Sequence, residues 1–349
     1  MSGPAFPPAD AHRWRLDTPV ALIIFNRPHT TRKVFEQIRA ARPPMLLVIA
    51  DGPRPDRPDE ARLCAATREV IREVDWPCDV RTEFSEVNLG CRDRPVTGID
   101  WVFSQVPEAI ILEDDCLPHP SFFRFCEELL ERYRDDERIG LIGGTNPHGG
   151  ERTGGASYFF SKYPMIWGWA SWRRAWARYD RSASAWPEFR RRGGFRTMTF
   201  PLERAYWERS FDAVHSGGLD AWDYQWTLTC WRERMSCIVP CRNLVSNIGF
   251  GPGATHTIGM GPQANLATEA MGFPLMHPAT VLADRVADGR YAAASFKQGW
   301  RGRLVRSLGL SRLLRPRVNS PPTRTPGVGR PAPARPEESA PERAPAAPR

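Results

Sequence analysis

The sequence predicts an α/β fold: a mostly parallel, Rossmann-like sheet flanked by helices. Three observations predict it. Short apolar runs alternate with segments of helical composition through the first two-thirds of the 349 residues. The runs are apolar at successive positions instead of every second one, as strands covered on both faces require. Each of three runs also stops at a polar cluster, Asn26-Arg27-Pro28, Asp51-Gly52-Pro53 or Glu113-Asp114-Asp115.

The elements follow in order. Residues 19–25 read as a buried strand with its turn, 31–41 as a helix, and 45–50 as a second strand. A helix over 60–74 and a strand over 79–83 come next, then a helix over 94–106. The run 109–112 is a fourth strand leading directly into the three acids, followed by a helix over 121–133 and a strand over 139–142. Ligands of such sheets sit outside the carboxyl ends of the strands. The three polar clusters all fall at such ends, so they converge on one rim.

From Gly149 to Asn265 the pattern loosens into glycine-broken loops and aromatic helices, expected as an acceptor-side region packed on the sheet. The expected organisation is a flexible N-terminus over 1–17 and a catalytic domain over 18–290, whose halves meet near 145–146. A basic amphipathic segment over 291–317 and a disordered Pro/Ala/Arg-rich tail over 318–349 complete it. The tail has almost no large apolar residue to offset the entropy of ordering it. No internal repeat is present.

Charge narrows the class. The formal charge of +8 is local: from Phe296 onward there are 12 Lys/Arg against 3 Asp/Glu, leaving 36 basic and 37 acidic residues in 1–295. A nucleic-acid-binding domain would carry its positive stripe on the folded body, so that class is disfavoured. No apolar run approaches the ~20 residues of a membrane span. Residues 1–17 are Pro-rich and polar, without the apolar stretch of a secretory signal. A cytoplasmic protein is therefore expected. Eight cysteines without paired CxxC spacing read as buried thiols; Cys237-x3-Cys241 is the nearest thing to a zinc motif and lacks a second half.

Glu113-Asp114-Asp115 sets three carboxylates where a buried strand leaves the sheet. If the chain stays extended, Glu113 and Asp115 face one side and Asp114 the other. Hard oxygen ligands of this kind suit Mg²⁺ or Mn²⁺. The bland alternative is a polar turn capping the next helix through Asp115 or Ser121.

Ile110-Ile-Leu-Glu-Asp-Asp-Cys-Leu-Pro118 resembles the DxD-type motif of GT-A glycosyltransferases, in particular the EDD form of the N-acetylglucosaminyltransferase I group. Phe25-Asn-Arg-Pro28, Ile49-Ala-Asp-Gly52 and Asn88-Leu-Gly90 with Arg92 and Arg94 resemble the nucleotide-binding rim of that family. Trp167-Gly-Trp-Ala-Ser-Trp172 is similar to a segment of bacterial, family 2-like members. The resemblance runs over about residues 18 to 260, in family order.

It implies a GT-A fold and a nucleotide-diphosphate sugar donor, with a UDP-sugar favoured, and a metal bridging the carboxylates to the donor's diphosphate. Asp115 would be the direct metal ligand together with Glu113, and Asp114 would lie nearer the ribose or sugar. Phe25, Asn26 and Arg27 would border the nucleotide, Asp51 would hydrogen-bond the base, and Arg92 or Arg94 would approach the donor. Taken alone, Asp51-Gly52-Pro53 is a turn and the two arginines a solvated helix start.

Transfer with inversion requires a carboxylate on the acceptor side to take the hydroxyl proton. The segment Asp220-Ala-Trp-Asp223 opens an aromatic helix. Asp220 is read as its N-cap and Asp223 as the base, by resemblance to inverting GT-A enzymes. His256 follows a glycine-rich stretch from Ser246 and fits either a metal- or diphosphate-binding loop histidine or an ordinary surface one. Thirteen tryptophans are mostly core, with Trp169, Trp172 and Trp176 at near-helical spacing. One or two would line an acceptor pocket.

Positions 300, 304 and 308 form one apolar stripe among arginines. They suit either a helix lying on the inner membrane face or a charged linker. A surface contact would fit a lipid-linked glycan or nascent polysaccharide as acceptor. Two other functions fit the pattern less well. A sugar-1-phosphate nucleotidyltransferase would carry a Gly-rich loop where Asn26-Arg27-Pro28 stands. A non-catalytic sugar- or membrane-binding protein has no need of an intact acidic triplet.

Overall fold

The computed structural model describes residues 14–148, 155–250 and 265–296. The strands are β1 (Val20–Ile24), β2 (Met45–Ala50), β3 (Asp79–Phe84), β4 (Glu108–Glu113), β5 (Cys116–Pro118), β6 (Ile139–Gly143), β7 (Tyr158–Ser161), β8 (Trp169–Trp172), β9 (Ser236–Pro240) and β10 (Val245–Asn247). The helices are α1 (Pro28–Ala41), α2 (Glu60–Glu69), α3 (Gly90–Gln105), α4 (Ser121–Arg132), α5 (Arg173–Trp176), α6 (Trp186–Arg191), α7 (Gly194–Met198), α8 (Pro201–His215), α9 (Asp223–Arg232) and α10 (Arg285–Phe296).

Eight strands form one sheet in the order β3-β2-β1-β4-β8-β6-β9-β7, and β5 pairs with β10 in a separate antiparallel ribbon. Strands β3, β2, β1 and β4 are parallel, as are β6 and β9, while β8 and β7 run against their neighbours. The fold is thus mixed α/β with a large central sheet flanked by helices. The chain passes from β1 outward to β3 and then returns to the other side of β1 as β4, which creates a topological switch point between β1 and β4.

The apolar runs are explained by two separate cores. Val20, Leu22 and Ile24, with Leu46, Val48, Ile110 and Leu112, pack with α1 and α4. Ala21, Leu47, Ile49, Ala109 and Ile111, the alternate positions, pack with α3 and α9. Each strand therefore buries both faces, and side chains of opposite parity serve opposite layers. Close approach of α3 depends on Gly98, where a β-carbon would stand 2.5 Å from Ile49 Cγ2.

Region 146–290 departs from its expectation. Helices α5 to α9 are there, but β7, β8 and β9 belong to the central sheet instead of packing on it. The near-helical spacing of Trp169, Trp172 and Trp176 is a coincidence of a strand followed by a turn of helix. Trp169 and Trp172 lie on β8, in opposite cores, and only Trp176 lies in α5. Trp169, Trp176, Trp222 and Trp226 form one buried cluster, with Trp169 stacked on Trp222 at 6.0 Å between ring centroids.

The N-terminal segment is tied down from Trp14 onward. Glu127 on α4 accepts hydrogen bonds from Trp14 Nε1 at 2.8 Å, the Asp17 amide at 2.7 Å and the Thr18 amide at 3.0 Å. This narrows the expected flexible stretch 1–17 by four residues. At the other end, Asp288 on α10 accepts from Ser161 Oγ of β7 at 2.6 Å and from the Lys162 amide at 3.2 Å. Residues 291–296 complete α10 and the remainder of the expected basic segment, with the tail, lies outside the described residues. Among the described residues no helix is long and apolar enough to cross a membrane.

Candidate active site

A cavity of about 550 Å³ opens over the carboxyl ends of β1, β2 and β4, at the switch point. Phe25, Arg27, Asp51, Arg94, Glu113, Asp114 and Asp115 all line it. Seven of the residues singled out from the sequence therefore come together, because consecutive parallel strands end on the same rim.

The three acids do not alternate in direction. The chain turns at Asp114-Asp115 between β4 and β5, so all three carboxyl groups reach the cavity. Nor do they cap the next helix: Pro120 at its N-cap makes no side-chain bond, and the Ser121 amide donates to His119 Nδ1 at 3.1 Å. Asp114 Oδ2 accepts from the Phe25 amide at 3.2 Å. The Asp115 carbonyl accepts from the Ile248 amide at 2.8 Å, which ties the turn to the strand end of β10. Arg27 Nη1 donates to Asp115 Oδ2 at 2.6 Å and stands 3.6 Å from Asp114 Oδ1.

Crowded carboxylates away from water resist ionisation. Removal from water first, then the charges of the neighbouring acids, holds Glu113 and Asp114 well above the usual carboxylate range. Burial works against the charge of Arg27, but Asp114 and Asp115 outweigh it and raise its pKa. Such a site draws in positive charge.

Asp51 lines the cavity with its carboxylate held by the chain. Its Oδ1 accepts from the amides of Gly52 and Leu89, both at 2.9 Å. Its Oδ2 accepts from the Gly90 amide and from Asn88 Nδ2, both at 3.0 Å. A carboxylate offers about four lone-pair positions, and all are occupied by the chain itself. Asp51 thereby buckles the end of β2 to the loop that opens α3. Gly90, at φ +81, supplies the left-handed turn that aims its amide at Asp51.

Asn26 is turned away from the cavity. Its Nδ2 donates to Glu60 Oε1 at 2.8 Å, and Glu60 also accepts from the Arg54 amide at 2.8 Å. That network places Arg54 on the cavity wall with its guanidinium 5.5 Å from the Phe25 ring centroid. Of the two candidate arginines, Arg94 is the one in the cavity, paired with Glu83; among the described residues its buried Nε finds no partner. Arg92 points to Asp93 at 3.0 Å, outside the lining.

On the acceptor side, Asp220 is not a helix cap. The cap position of α9 is Trp222 without a side-chain bond, and Asp220 lines the cavity, accepting from Cys91 Sγ at 3.4 Å. Asp223 opens α9 as expected and stands near enough for its charge to act on Glu113. His256 lies outside the described residues.

Sequence reasoning missed Arg54, Asn247, Gly249 and Phe250, and left the lining tryptophan unnamed. That tryptophan is Trp167, whose ring meets Phe250 edge-on at 5.6 Å. The run Asn247-Ile-Gly-Phe250 was legible only as a glycine-rich stretch. Its contact with Asp115 joins residues more than 130 positions apart, which no local signal reports.

No protein-family model and no curated protein matches the chain. Among solved structures it is similar to the mannosyltransferase PcManGT from Pyrobaculum calidifontis in complex with GDP-Man and Mn²⁺, with TM-score 0.30, 12% identity, and 46% of each chain covered. It is similar to 4-diphosphocytidyl-2C-methyl-D-erythritol synthase from Anaerococcus prevotii, with TM-score 0.29, 8% identity, and 47% of this chain and 75% of that one covered. A UDP-glucose pyrophosphorylase complexed with UDP-glucose gives TM-score 0.28, 10% identity, and 46% and 79% coverage. The chain spans less than half the length of that mannosyltransferase, and none of these likenesses assigns it a family.

Proposed function

We propose that the chain is a metal-dependent glycosyltransferase of the GT-A type, moving a sugar from a nucleotide-diphosphate donor to a hydroxyl acceptor with inversion. One observation carries this reading: the Glu113–Asp115 triplet lies in a cavity over the switch point of a mostly parallel sheet and already grips a cation, the Arg27 guanidinium. Nucleotides bind open α/β sheets at such switch points.

The donor oxygens are all carboxylate, which a hard divalent ion takes, and a guanidinium stands in for the charge; among the described residues no three such groups form a ready-made metal cluster, so the donor's phosphates would have to complete the set. Glu113 and Asp115 would hold Mn²⁺ or Mg²⁺. When bound, the ion supplies Lewis-acid stabilisation of the departing diphosphate. Phe25 and Arg54 offer a flat apolar face and a cation to the nucleotide, for which a uridine donor is favoured, and the unpartnered Nε of Arg94 offers a further donor. Asp114, fixed by the Phe25 amide, would face the ribose or sugar.

Asp223 is the proposed base, taking the acceptor hydroxyl proton as the new bond forms. Asp220 is the second candidate. Trp167 and Phe250 give the acceptor sugar an apolar wall, and a lipid-linked or surface glycan is the acceptor class proposed. The direct passage from Phe25-Asn26-Arg27 into α1 at Pro28, without a glycine-rich loop, favours sugar transfer over sugar-1-phosphate nucleotidyl transfer.

The test is binding and slow hydrolysis of UDP-, GDP- and dTDP-sugars with Mn²⁺, Mg²⁺ or EDTA, on wild type and Asp115→Ala. Metal-dependent binding or hydrolysis of one donor, lost in Asp115→Ala, supports the reading and names the donor. Absence of donor binding under every metal condition sinks it in favour of a non-catalytic sugar- or membrane-surface protein.

A further inference from the structure

Arg27 stands where an added cation would have to go. Its Nη1 is 2.6 Å from Asp115 Oδ2 and 3.6 Å from Asp114 Oδ1. The side chains of Arg27, Asp114 and Asp115 are 21%, 10% and 14% exposed, so water screens their attraction weakly. Backbone geometry fixes this placement. Arg27 precedes Pro28 at the start of α1 with φ −120 and ψ 70, out of the helical region as a residue before proline should be. Strand β1, which leads to it, runs beside β4 with Ile23 opposite Glu113. The root of the side chain is therefore held at the edge of the acidic turn.

A divalent ion and a guanidinium nitrogen compete for the same oxygen. An ion on Asp115 would put its charge beside the positive Arg27 nitrogen where water screens weakly, so repulsion between the two opposes holding both on one carboxylate. Metal entry therefore weakens the Arg27 pair. An arginine fork released at the start of a helix has an obvious next partner in a diphosphate, whose oxygens match its geometry.

We propose that Arg27 is a built-in competitor of the divalent metal, displaced from Asp115 when the donor's diphosphate draws the guanidinium away. Resting on the nucleotide-sugar reading of the cavity, this makes metal and donor binding mutually dependent. The chain alone holds metal weakly, the nucleotide diphosphate raises metal affinity, and by linkage the metal raises nucleotide affinity by the same factor. Arg27 is in this sense a positioning residue that enforces joint entry.

The experiment is Mn²⁺ binding, followed by the electron paramagnetic resonance of free Mn²⁺, on wild type and Arg27→Gln, alone and with UDP or GDP. Arg27→Gln is expected to bind Mn²⁺ without nucleotide about tenfold or more tightly than wild type, the equivalent of one charge-assisted hydrogen bond. The enhancement of Mn²⁺ binding by the nucleotide shrinks by a similar factor. Asp115→Asn in the Arg27→Gln background removes the gain. Unchanged or weaker Mn²⁺ affinity in Arg27→Gln, an undiminished nucleotide effect, or a gain that survives Asp115→Asn overturns the proposal. If Arg27→Gln does not melt cooperatively, Arg27→Met carries the test: it removes the positive charge and keeps a long side chain, so a raised Mn²⁺ affinity supports the proposal and an unchanged one overturns it. A positive Arg27→Gln result with no donor bound by any form sinks the transferase reading alone, whereas a donor-binding chain with unaltered Mn²⁺ affinity in Arg27→Gln sinks only the competitor.

Discussion

Gly249 lies so close to Asp115 that a β-carbon at position 249 would stand 2.0 Å from the Asp115 Oδ2 atom. The same oxygen receives Arg27, and the Gly249 amide donates to Asn247 Oδ1 at 2.9 Å. Backbone from 134 positions further along the chain thus forms the wall behind this carboxylate. Only a residue without a side chain fits between them.

Gly249→Ala should therefore disable the site without unfolding the protein. The methyl group must push the carboxylate or the 247–250 strand end aside, and a displacement near 1 Å costs about 100-fold in a positioned reaction. Donor hydrolysis and Mn²⁺ binding should fall together while the thermal melt stays close to wild type. Wild-type turnover in Gly249→Ala would show that Asp115 is not held in the geometry described.

Asp51→Asn should loosen the rim of the cavity. An amide keeps one acceptor oxygen but turns a second set of donors toward amides that already donate, so at least one bond is lost. The expected loss of stability is about 1–3 kcal/mol. Hydrogen exchange at residues 88–90 should quicken and the donor KM should rise. Unaltered exchange there would remove Asp51 from its role as a buckle.

The two acceptor-side acids separate by what each variant leaves intact. Asp223→Asn should lower transfer by about 10²–10⁴, the usual worth of a general base, with nucleotide binding unchanged. Asp220→Asn should cost much less, since its carboxylate is 67% exposed beside Arg92. Measured transfer rates and nucleotide affinities for both variants decide the assignment, and the reverse ranking makes Asp220 the base.

Anchoring of α10 should depend on pH. Burial, opposed by the Ser161 and Lys162 hydrogen bonds, pushes Asp288 up to about 6 from an ordinary 3.8. An acid raised on folding lends stability that is complete below about pH 4 and is lost as the pH rises through about 6. Comparison with Asp288→Asn isolates this contribution from other titrating groups. Between pH 4 and 7 the stability difference should move in favour of the variant by an amount on the order of 2–3 kcal/mol. A difference that does not change over that range would rule out the raised carboxyl.

Local chemistry in the sequence was enough to determine the parallel half of the sheet, the helices between its strands, and the acidic turn at its rim. Continuous runs such as Val20–Ile24 and Ile110–Leu112 are buried on both faces, and that requirement is written in every residue of the run. Three adjacent carboxylates after such a strand are equally local. By contrast, β8 was hidden, because Trp169-Ala-Ser-Trp172 becomes a strand only by entering between β4 and β6. The same holds for three of the four partners of Asp51, which come from 37 to 39 residues away, and for Arg27, whose acids lie 87 and 88 positions on. A side chain's type sets which bonds it can make. Which bonds it does make, and which oxygen a cation must compete for, depend on the groups that distant segments bring within about 3 Å. Only the folded chain decides that.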